Sequence, residues 1–436
     1  MSDDSTRLGH ALLGREATLS TSRVGRFFSS GRAALGLATT VLRGGRSVNV
    51  ERLSALTSRL GELKGLGMKL GQILSYVDPN LAPEARALLS VLQTKAPASP
   101  AEAVARTLDA AFGDRAAILR AAMEPAPFAV ASIGQVYRAT LPEAGDVAVK
   151  VRHEGIVTAF EADFASVRGG VGLADTMLLG AAASAREAVD EVREVMLAEC
   201  DFAREADHQR AFGTWLASDP TLIIPSVIDG WSTATVLTTR WEPGDSLDTF
   251  LERHPTQTER DRAGEALFRA SVGGLYALGR LHADPHPGNF AFRAGRVVLY
   301  DFGCVRVFPA PITRALADLV AALRRGDGAG LEDAARRFGF NARTKEQREL
   351  LERFTRTFFQ PMLVRGPSVM PPDGPVDLQR LVADKLALAK LGLPRHAMFL
   401  LRLRFGLYAV LARLGSKLDW GELEMRYSSS SLSSST

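Results

Sequence analysis

The sequence HADPHPGN at residues 282–289 is followed by VVLYDFG at residues 297–303, and these two motifs are the most specific signal in the chain. Asp284 and Asn289 of the first motif and Asp301 of the second carry oxygen atoms of the kind that Mg²⁺ prefers as ligands. A proline-rich turn and an aspartate at a strand end would explain each motif alone. Both motifs occur in order, and an apolar strand leads into Asp301, so the pattern favours a metal-dependent active site.

The spacing of these residues matches a kinase catalytic loop and metal loop. Asp284 and Asn289 are five residues apart, as in the catalytic loop of protein kinases, where a later strand leads into Asp-Phe-Gly. Phosphoryl transfer needs a base or positioning carboxylate beside the nucleophile, and oxygen atoms that hold magnesium against the phosphates. We therefore assign the metal to Asn289 and Asp301 and a catalytic role to Asp284, together with Lys150 of the motif described next.

The motif VAVK at residues 147–150 supplies the lysine that such a site needs. Strand alternation places Ala148 and Lys150 on one face and the valines on the other. A small residue then lies beside an adenine ring, and an ammonium group beside phosphates. A surface lysine on an edge strand is the alternative, and the companion motifs weigh against it. Many acids at 187–207 could pair with Lys150, and their spacing does not choose among them.

Length and composition bound the architecture. At 436 residues, 46% hydrophobic and 23% charged, the chain is an ordinary folded protein long enough for two lobes. Its two cysteines exclude a disulfide framework and a four-cysteine zinc site. The net charge of +4 hints at an anionic partner, and we expect no nucleic-acid binding. The first residues lack an apolar signal segment and no apolar run is long enough to span a bilayer, so we expect a cytoplasmic protein without a transmembrane helix.

Changes of pattern along the chain predict five segments. Residues 17–50 carry arginines among apolar side chains and no acid, so the first segment is either partly disordered or lies on an anionic membrane surface. Ser99 is placed to cap a helix, and a hairpin is expected across Ala294 and Gly295. The segments are a basic arm, 1–50; a helical extension, 51–122; a kinase-like N-lobe, 123–242; a kinase-like C-lobe with C-terminal helices, 243–427; and a disordered serine-rich tail, 428–436.

Two further motifs do not belong to ordinary protein kinases. PFAVASIGQVYRA at 127–139 stands where a glycine-rich loop is expected, and GMKLGQILS at 67–75 lies on a predicted helix far upstream. Together with HADPHPGN and DFG, they resemble the alanine-rich loop and the KxGQ motif of the UbiB/AarF atypical kinases. This family includes the mitochondrial ubiquinone-biosynthesis kinase-like proteins. The resemblance covers roughly residues 50 to 420 and rests on four separated motifs in order.

The resemblance implies a fold, a set of ligands and further site residues. The fold is α+β and two-lobed, like a protein kinase, with a helical N-terminal extension over the active site. The ligands are ATP or ADP with Mg²⁺. Lys69 would pair with an acid of an ExD motif, and Glu205 with Lys150. The regulatory KxGQ and ExD positions are Lys69, Gln72, Glu199 and Asp201. The nucleotide-binding positions are Ala129, Val130, Ala131, Ser132, Ile133, Gly134, Gln135, Ala148, Lys150 and Glu205.

The alanine-rich loop departs physically from a glycine-rich one. Its non-glycine residues enter positive φ only at a cost of about 1–2 kcal/mol each, so its hold on phosphates differs from that of a flexible glycine loop. The resemblance accordingly implies ATPase activity more readily than protein phosphorylation. Three positions depart from the family pattern: Val130 replaces an alanine, Arg240 replaces an acid near the hinge, and His208 replaces an asparagine.

The motifs together predict an atypical kinase or ATPase that supports isoprenoid-quinone biosynthesis or lipid handling. Two basic, apolar segments, 17–50 and 385–418, suggest contact with an anionic membrane surface or an isoprenoid lipid, peripheral to a bacterial inner membrane. Quinone-biosynthesis enzymes are the expected protein partners. Two alternatives stay open: a small-molecule phosphotransferase of the aminoglycoside or choline kinase type, and a nucleotide-gated scaffold without turnover.

Overall fold

The computed structural model describes residues 98–165, 190, 193–370 and 394–433. The predictions for Lys69, Gln72 and the basic arm lie outside these residues. The described ranges contain these strands, in chain order: β1 Ala129–Val130, β2 Gly134–Leu141, β3 Gly145–Arg152, β4 Leu222–Ile223, β5 Val236–Arg240, β6 Arg280–His282, β7 Phe290–Arg293, β8 Arg296–Leu299 and β9 Val305–Val307.

The described α-helices include α1 Ala101–Phe112, α2 Ala116–Ala122, α3 Phe202–Trp215, α4 Leu247–Glu252, α5 Gln257–Phe268, α6 Gly274–Leu278, α7 Ala310–Arg325, α8 Gly328–Phe338, α9 Lys345–Phe358, α10 Gln360–Leu363, α11 Arg395–Leu414 and α12 Trp420–Ser433. A π-helical turn at Arg269–Gly273 joins α5 to α6. Residues 156–165 and 193–199 are also helical.

The chain divides into two compact units. The first comprises Met1–Arg204 and Ile228–Trp241, and the second comprises Glu205–Val227 and Glu242–Thr436. The predicted N-lobe had included residues 205–227, but the structure assigns them to the second unit, because side chains such as Phe212 pack into that unit's core. The boundary falls within α3, whose sequence pattern alone does not reveal a change of core.

The first unit is built on an antiparallel sheet in the order β1-β2-β3-β5. The valines of β3 are buried and Lys150 is on the half-buried face, as the alternation predicted. The buried face packs against α1 and α2 through residues such as Leu108 and Leu119. The predicted boundary between residues 122 and 123 therefore does not separate two cores, since helices from the extension and strands from the lobe bury one another.

The start of α1 differs from the prediction. The helix begins at Ala101 with Pro100 as its N-cap residue, and no side chain caps it. The Ser99 hydroxyl instead lies 2.7 Å from Nδ1 of His153. A serine before a helix suits a cap locally, but the imidazole at the end of β3 competes for the same hydroxyl.

The second unit contains two small sheets that carry the predicted motifs. The hairpin predicted across Ala294 and Gly295 is confirmed: β7 and β8 pair antiparallel, and the two turn residues have φ values of 48° and 74°. Such positive φ values match the twist of a tight hairpin. β4 runs parallel to β8, and β6 pairs antiparallel with β9. HADPHPGN begins at the last residue of β6, and Asp301 follows the end of β8 by two residues.

Helix α11 corrects one prediction about a membrane surface. In the described part of 385–418, Leu403, Leu407 and Leu411 of α11 are buried in the second unit's core and do not form an apolar surface for lipid. Arg404 is 1% exposed and pairs with the equally buried Glu424 of α12. The charge pattern of a helix does not reveal an acid that meets it from another helix. Among the described residues, no helix has the length and apolar character needed to cross a bilayer.

Helix α12 continues into the serine-rich segment that we had expected to be disordered. It extends to Ser433, and Ser428 is buried. The hydroxyls of Ser428 and Ser429 donate to the Met425 carbonyl at 3.1 and 2.6 Å. Serine can satisfy its hydroxyl in this way within a helix, so composition alone misplaced the end of the folded chain.

Candidate functional site

The loop between β6 and β7 holds Asp284 and Asn289 together. The Asn289 side-chain Nδ2 donates to the Asp284 carboxylate at 2.9 Å and to the Asp284 carbonyl at 3.2 Å. A short 3₁₀ turn at Pro287–Asn289 brings the amide back toward the aspartate, and Nδ1 of His286 accepts from the Gly288 N–H at 3.0 Å. The predicted pair is therefore one hydrogen-bonded unit.

Asp301 lies beside this pair because of the β7–β8 register. Phe290 pairs with Leu299, and the Tyr300 N–H donates to the Asn289 carbonyl at 2.9 Å, so Asn289 lies across from the residue just before Asp301. The Gly303 N–H donates to Oδ1 of Asp301 at 2.9 Å. The structure thus brings the metal-ligand candidates to one end of a hairpin.

His282 supports Asp301 from β6. Its Nε2 lies 2.7 Å from the Asp301 backbone carbonyl, and a carbonyl only accepts, so Nε2 carries a proton. The imidazole is buried, with its ring centroid 5.4 Å from that of Phe302. Phe302 is fully buried and also contacts Phe212 of α3, at 5.3 Å between centroids. This aromatic group restrains the backbone that carries Asp301.

Two further contacts from other helices restrain the same motifs. Oε1 of Glu205 accepts from the Phe302 N–H at 3.5 Å, and Glu205 is 1% exposed. Gly406 of α11 lies against Pro285: a Cβ added to this glycine would be 2.7 Å from the proline Cγ. Helix α3 therefore constrains the backbone of the Asp-Phe-Gly segment, and α11 constrains the catalytic loop.

The side-chain oxygen atoms of Asn289 and Asp301 suit a hard cation that phosphate oxygens also coordinate. The Asn289 amide donates through Nδ2, which presents Oδ1 as the acceptor a magnesium ion would use, and Asp301 adds a carboxylate. Among the described residues, no group of three or more His, Cys, Asp or Glu could hold a metal ion. Magnesium in phosphoryl-transfer sites uses one or two carboxylates and completes its shell with phosphate and water, so the two candidate ligands suffice.

Tyr300 fixes the strand that precedes Asp301. Its hydroxyl donates to the Glu242 backbone carbonyl at 2.8 Å. Burial, and then the negative charge of Glu242, raises the pKa of Tyr300 to about 12. The phenol therefore stays protonated, and stays a donor, throughout the neutral pH range.

In the first unit, strand pairing defines the face around Lys150. Lys150 pairs with Val136 on one side and Leu237 on the other, and Ala148 pairs with Thr239. Residues paired across neighbouring strands share a face. The side chains that share the face of Ala148 and Lys150 therefore include Val136, Leu237 and Thr239, which sequence reasoning missed because register is not visible in a single strand.

Lys150 has an aromatic neighbour that the sequence did not indicate. Its Nζ lies 5.0 Å from the ring centroid of Phe202, which is fully buried at the start of α3. Such a distance is within the range of a cation–π interaction. The predicted pairing of Lys150 with Glu205 stays a prediction.

The alanine-rich loop connects β1 to β2. Ala129 and Val130 pair with β2, and the Ala131 N–H donates to the Gly134 carbonyl at 2.8 Å. A Cβ at Gly134 would lie 2.6 Å from the Val151 carbonyl oxygen. Gly134 is therefore required by the close approach of β3, since its φ is not positive.

Gln135 does not share the face of Lys150. Its register partner is Val151, whose side chain is buried, and Gln135 itself is 1% exposed. Its Nε2 donates to the Tyr137 hydroxyl at 2.5 Å, and its Oε1 accepts from the Ser99 N–H at 2.8 Å. The side chain thus anchors the segment before α1, and the expected contact of Gln135 with nucleotide stays a prediction.

The two acids of the ExD motif lie just before and at the start of α3. Glu199 is 3% exposed. Oδ1 of Asp201 accepts from the Ala203 N–H at 3.1 Å, which is typical of an aspartate at a helix start. Their predicted partner Lys69 lies outside the described residues, so the regulatory pairing stays a prediction.

Two departures from the family pattern have distinct surroundings. His208 is 7% exposed, and its Nδ1 lies 3.1 Å from Nη1 of Arg280 in β6. The guanidinium only donates, so Nδ1 accepts. Arg240 is exposed at the end of β5 and pairs in register with Val147. A histidine at 208 thus contributes an acceptor toward β6.

Comparison with known proteins gives a family match. The sequence profile of the "ABC1 atypical kinase-like domain" matches residues 91–335, more than half of the chain. "Atypical kinase COQ8B, mitochondrial" of Rattus norvegicus is 28% identical over 339 residues, which cover 72% of this chain and 62% of that protein. "Atypical kinase COQ8, mitochondrial" of Saccharomyces cerevisiae is 24% identical over 311 residues, covering 67% and 61%. The chain therefore spans about three fifths of the length of these two relatives.

A solved structure is also similar. The structure of Rv3197 in complex with erythromycin, from Mycobacterium tuberculosis, aligns with a TM-score of 0.57 and 26% identity, covering 84% of this chain and 92% of that one. The comparisons confirm the predicted fold class and the predicted family resemblance.

Proposed function

The chain belongs to the family of ABC1 atypical kinase-like domains, and we propose that it binds ATP with magnesium and hydrolyses it in support of isoprenoid-quinone biosynthesis or lipid handling at a membrane. The observation that carries the proposal is the arrangement of Asp284, Asn289 and Asp301. The Asn289 amide, which is hydrogen-bonded to the catalytic-loop aspartate, lies across the hairpin from Tyr300, the residue just before the Asp-Phe-Gly aspartate. Phosphoryl-transfer enzymes of the kinase type use this combination.

The roles of the individual residues follow from their chemistry. Bound magnesium would neutralise charge that develops on the phosphates. Asn289 and Asp301 hold the cation, and Asp284 orients the attacking hydroxyl or water and accepts its proton. Lys150 contacts phosphate oxygens, and Ala148 leaves room for the adenine ring. The alanine-rich loop restricts the backbone over the phosphates, which supports ATPase or small-acceptor chemistry over protein phosphorylation.

Fewer residues support association with a membrane than the sequence suggested. Leu403, Arg404, Leu407 and Leu411 are buried in the second unit, so these residues of the segment 385–418 no longer support a lipid surface. The basic residues at 17–50 support an anionic membrane surface or an isoprenoid lipid as partner, and the family resemblance suggests quinone-biosynthesis enzymes as protein partners. We propose a peripheral rather than a spanning association.

ATP turnover with lipid tests this function. The purified protein is assayed with Mg²⁺ and ATP, with and without anionic liposomes, beside an Asp301→Asn variant. We expect turnover that needs Mg²⁺, increases with anionic lipid and is lost in the variant. Turnover equal to that of Asp301→Asn under every condition would rule out the enzyme. Mass spectrometry of quinone intermediates in a deletion strain then identifies the pathway through the precursor that accumulates.

A soluble phosphoryl acceptor is the second candidate. The solved relative was obtained in complex with erythromycin, which is an alcohol-bearing small molecule, and the catalytic-loop pattern HxDxxPGN also suits small-molecule phosphotransferases. Incubation of the protein with ATP, Mg²⁺ and a panel of soluble alcohols that includes erythromycin separates the two functions. A phosphorylated alcohol detected by mass spectrometry, and absent with Asp301→Asn, would favour this candidate over the lipid-linked one.

A further inference from the structure

His153 connects the alanine-rich loop to the segment before α1. Its Nε2 lies 3.1 Å from the Ala131 carbonyl oxygen, and its Nδ1 lies 2.7 Å from the Ser99 hydroxyl. Its backbone N–H donates to the Ile133 carbonyl at 2.9 Å. One residue at the end of β3 thus contacts the loop twice and the start of the helical layer once.

The chemistry of the partners fixes the direction of each hydrogen bond. A carbonyl only accepts, so Nε2 of His153 donates to Ala131, and in the neutral imidazole Nδ1 then accepts from the Ser99 hydroxyl. We name this chain of contacts, Ser99–His153–Ala131, the imidazole bridge. The bridge needs a side chain that donates at one end and accepts at the other, at the separation of the two ring nitrogens.

Gln135 holds the backbone of Ser99, the first residue of the imidazole bridge, in place. Its Oε1 accepts from the Ser99 N–H at 2.8 Å, and its Nε2 lies 3.5 Å from the Ser99 carbonyl. Gln135 is buried and follows Gly134 at the end of the loop, so the Ser99 backbone is hydrogen-bonded to that end of the loop. The Ser99 hydroxyl contacts His153, which in turn contacts Ala131 in the middle of the loop. The loop is therefore held at Ala131, Ile133 and Gln135 by groups outside it.

We propose that His153 is a positioning residue for the proposed nucleotide site: through the imidazole bridge it sets the conformation of the alanine-rich loop over the phosphates. An alanine-rich loop lacks the conformational freedom of glycine, but it still orders on binding at an entropic cost. A loop that the bridge already orders loses less conformational entropy when nucleotide binds. The inference rests on the proposed nucleotide binding and concerns a residue outside the family motifs.

Four variants separate positioning from folding. His153→Ala removes both side-chain contacts of the bridge. His153→Gln retains an amide donor that can reach Ala131, and Ser99→Ala removes only the hydroxyl. The matched control is Arg106→Ala, which breaks an exposed ion pair of 2.6 Å between α1 and Glu154, the neighbour of His153, without touching the loop. The full chain is used throughout.

The readouts are the dissociation constants for Mg-ATP and for adenosine, measured by titration calorimetry, and amide hydrogen exchange of residues 129–135 without nucleotide. One lost hydrogen bond changes affinity by roughly two- to tenfold. We expect His153→Ala to weaken Mg-ATP by about three- to tenfold and leave adenosine within about twofold, with faster exchange in the loop. His153→Gln recovers most of the affinity, Ser99→Ala falls between, and Arg106→Ala matches the wild type.

The outcomes distinguish the inference from the function on which it rests. If wild-type protein binds Mg-ATP and His153→Ala binds it equally well, or loses adenosine affinity in the same proportion, His153 does not position the phosphate loop. If the wild type binds no nucleotide, the proposed function fails. In that case faster loop exchange in His153→Ala would still establish the bridge, and unchanged exchange would overturn it.

Discussion

The Asn289 amide donates to the Asp284 carboxylate at 2.9 Å and to its backbone carbonyl at 3.2 Å. This contact couples the residue proposed to orient the nucleophile to one proposed to hold magnesium. The Asn289 amide therefore has two proposed roles: Nδ2 donates to Asp284, and Oδ1 is the ligand for magnesium.

Asn289→Ala tests the magnesium role. The variant loses a hydrogen bond to a charged group, worth about 1.5–3 kcal/mol, and an oxygen ligand of the cation. We expect ATP affinity in Mg²⁺ to fall roughly tenfold or more, with little change when EDTA removes the metal. Titration calorimetry under both conditions measures this. The exposed Asn341→Ala is the control, and an equal loss with and without Mg²⁺ would contradict the assignment.

Gly406→Ala tests how α11 supports the catalytic loop. The new Cβ would lie 2.7 Å from Cγ of Pro285, so the loop must shift. Overpacking costs about 1–3 kcal/mol, against a gain in helix propensity of up to about 1 kcal/mol. We expect ATP turnover to fall by about tenfold or more while stability falls by at most about 2 kcal/mol, measured by turnover and urea unfolding. Gly328→Ala has open space around it and should leave both unchanged.

The buried pair of Arg404 and Glu424 should dominate the stability of the C-terminal helices. Arg404→Met leaves a buried carboxylate without its partner and should cost about 3–5 kcal/mol. The double variant Arg404→Met/Glu424→Leu should lose less, since no charge remains buried. Lys345→Met breaks an exposed pair and should change stability by less than about 1 kcal/mol. Urea unfolding measures all three, and a double variant no better than the single one would mean that packing matters more than charge.

We expect the free energy of unfolding to depend on pH above neutrality because of Tyr300. Burial, and then the charge of Glu242, raises the pKa of Tyr300 to about 12, above the ordinary value of about 10. The unfolded chain therefore releases this proton first. The contribution to stability is complete below pH 10 and is lost as the pH rises toward 12.

Tyr300→Phe isolates that contribution from the other tyrosines. At neutral pH the variant should lose about 1 kcal/mol because the hydrogen bond to the Glu242 carbonyl disappears. Above pH 10 the difference between wild type and variant should shrink. Urea unfolding from pH 7 to 11.5 measures it, and parallel curves would mean that the folded-state pKa is not raised.

The motif residues and the strand alternation were visible before the fold. The order of HADPHPGN and DFG predicted a kinase-like unit, and β3 buries its valines as its period of two requires. The hairpin at Ala294 and Gly295 was predicted correctly, because those features depend on residues close together in the chain.

Contacts between distant segments were not visible in the sequence. Ser99 suits a helix cap, yet it contacts His153, which is 54 residues away. Helix α11 has the composition of a basic surface segment, yet Arg404 is buried because an acid from α12 meets it. Gln135 belongs to the loop motif, yet strand register turns it away from Lys150.

The family, the order of the motifs and the identity of the metal-ligand candidates could be read from the sequence, since they depend on residue type and local spacing. The neighbours of each side chain depend on the fold. In the folded chain, each buried side chain contacts the residues that other helices and strands place beside it. Residues that are close together in the sequence do not show which partners those are. The motifs at 282–289 and 301–303 could be identified from the sequence, whereas the contact of α11 with Pro285 and that of Glu205 of α3 with Phe302 are visible only in the fold.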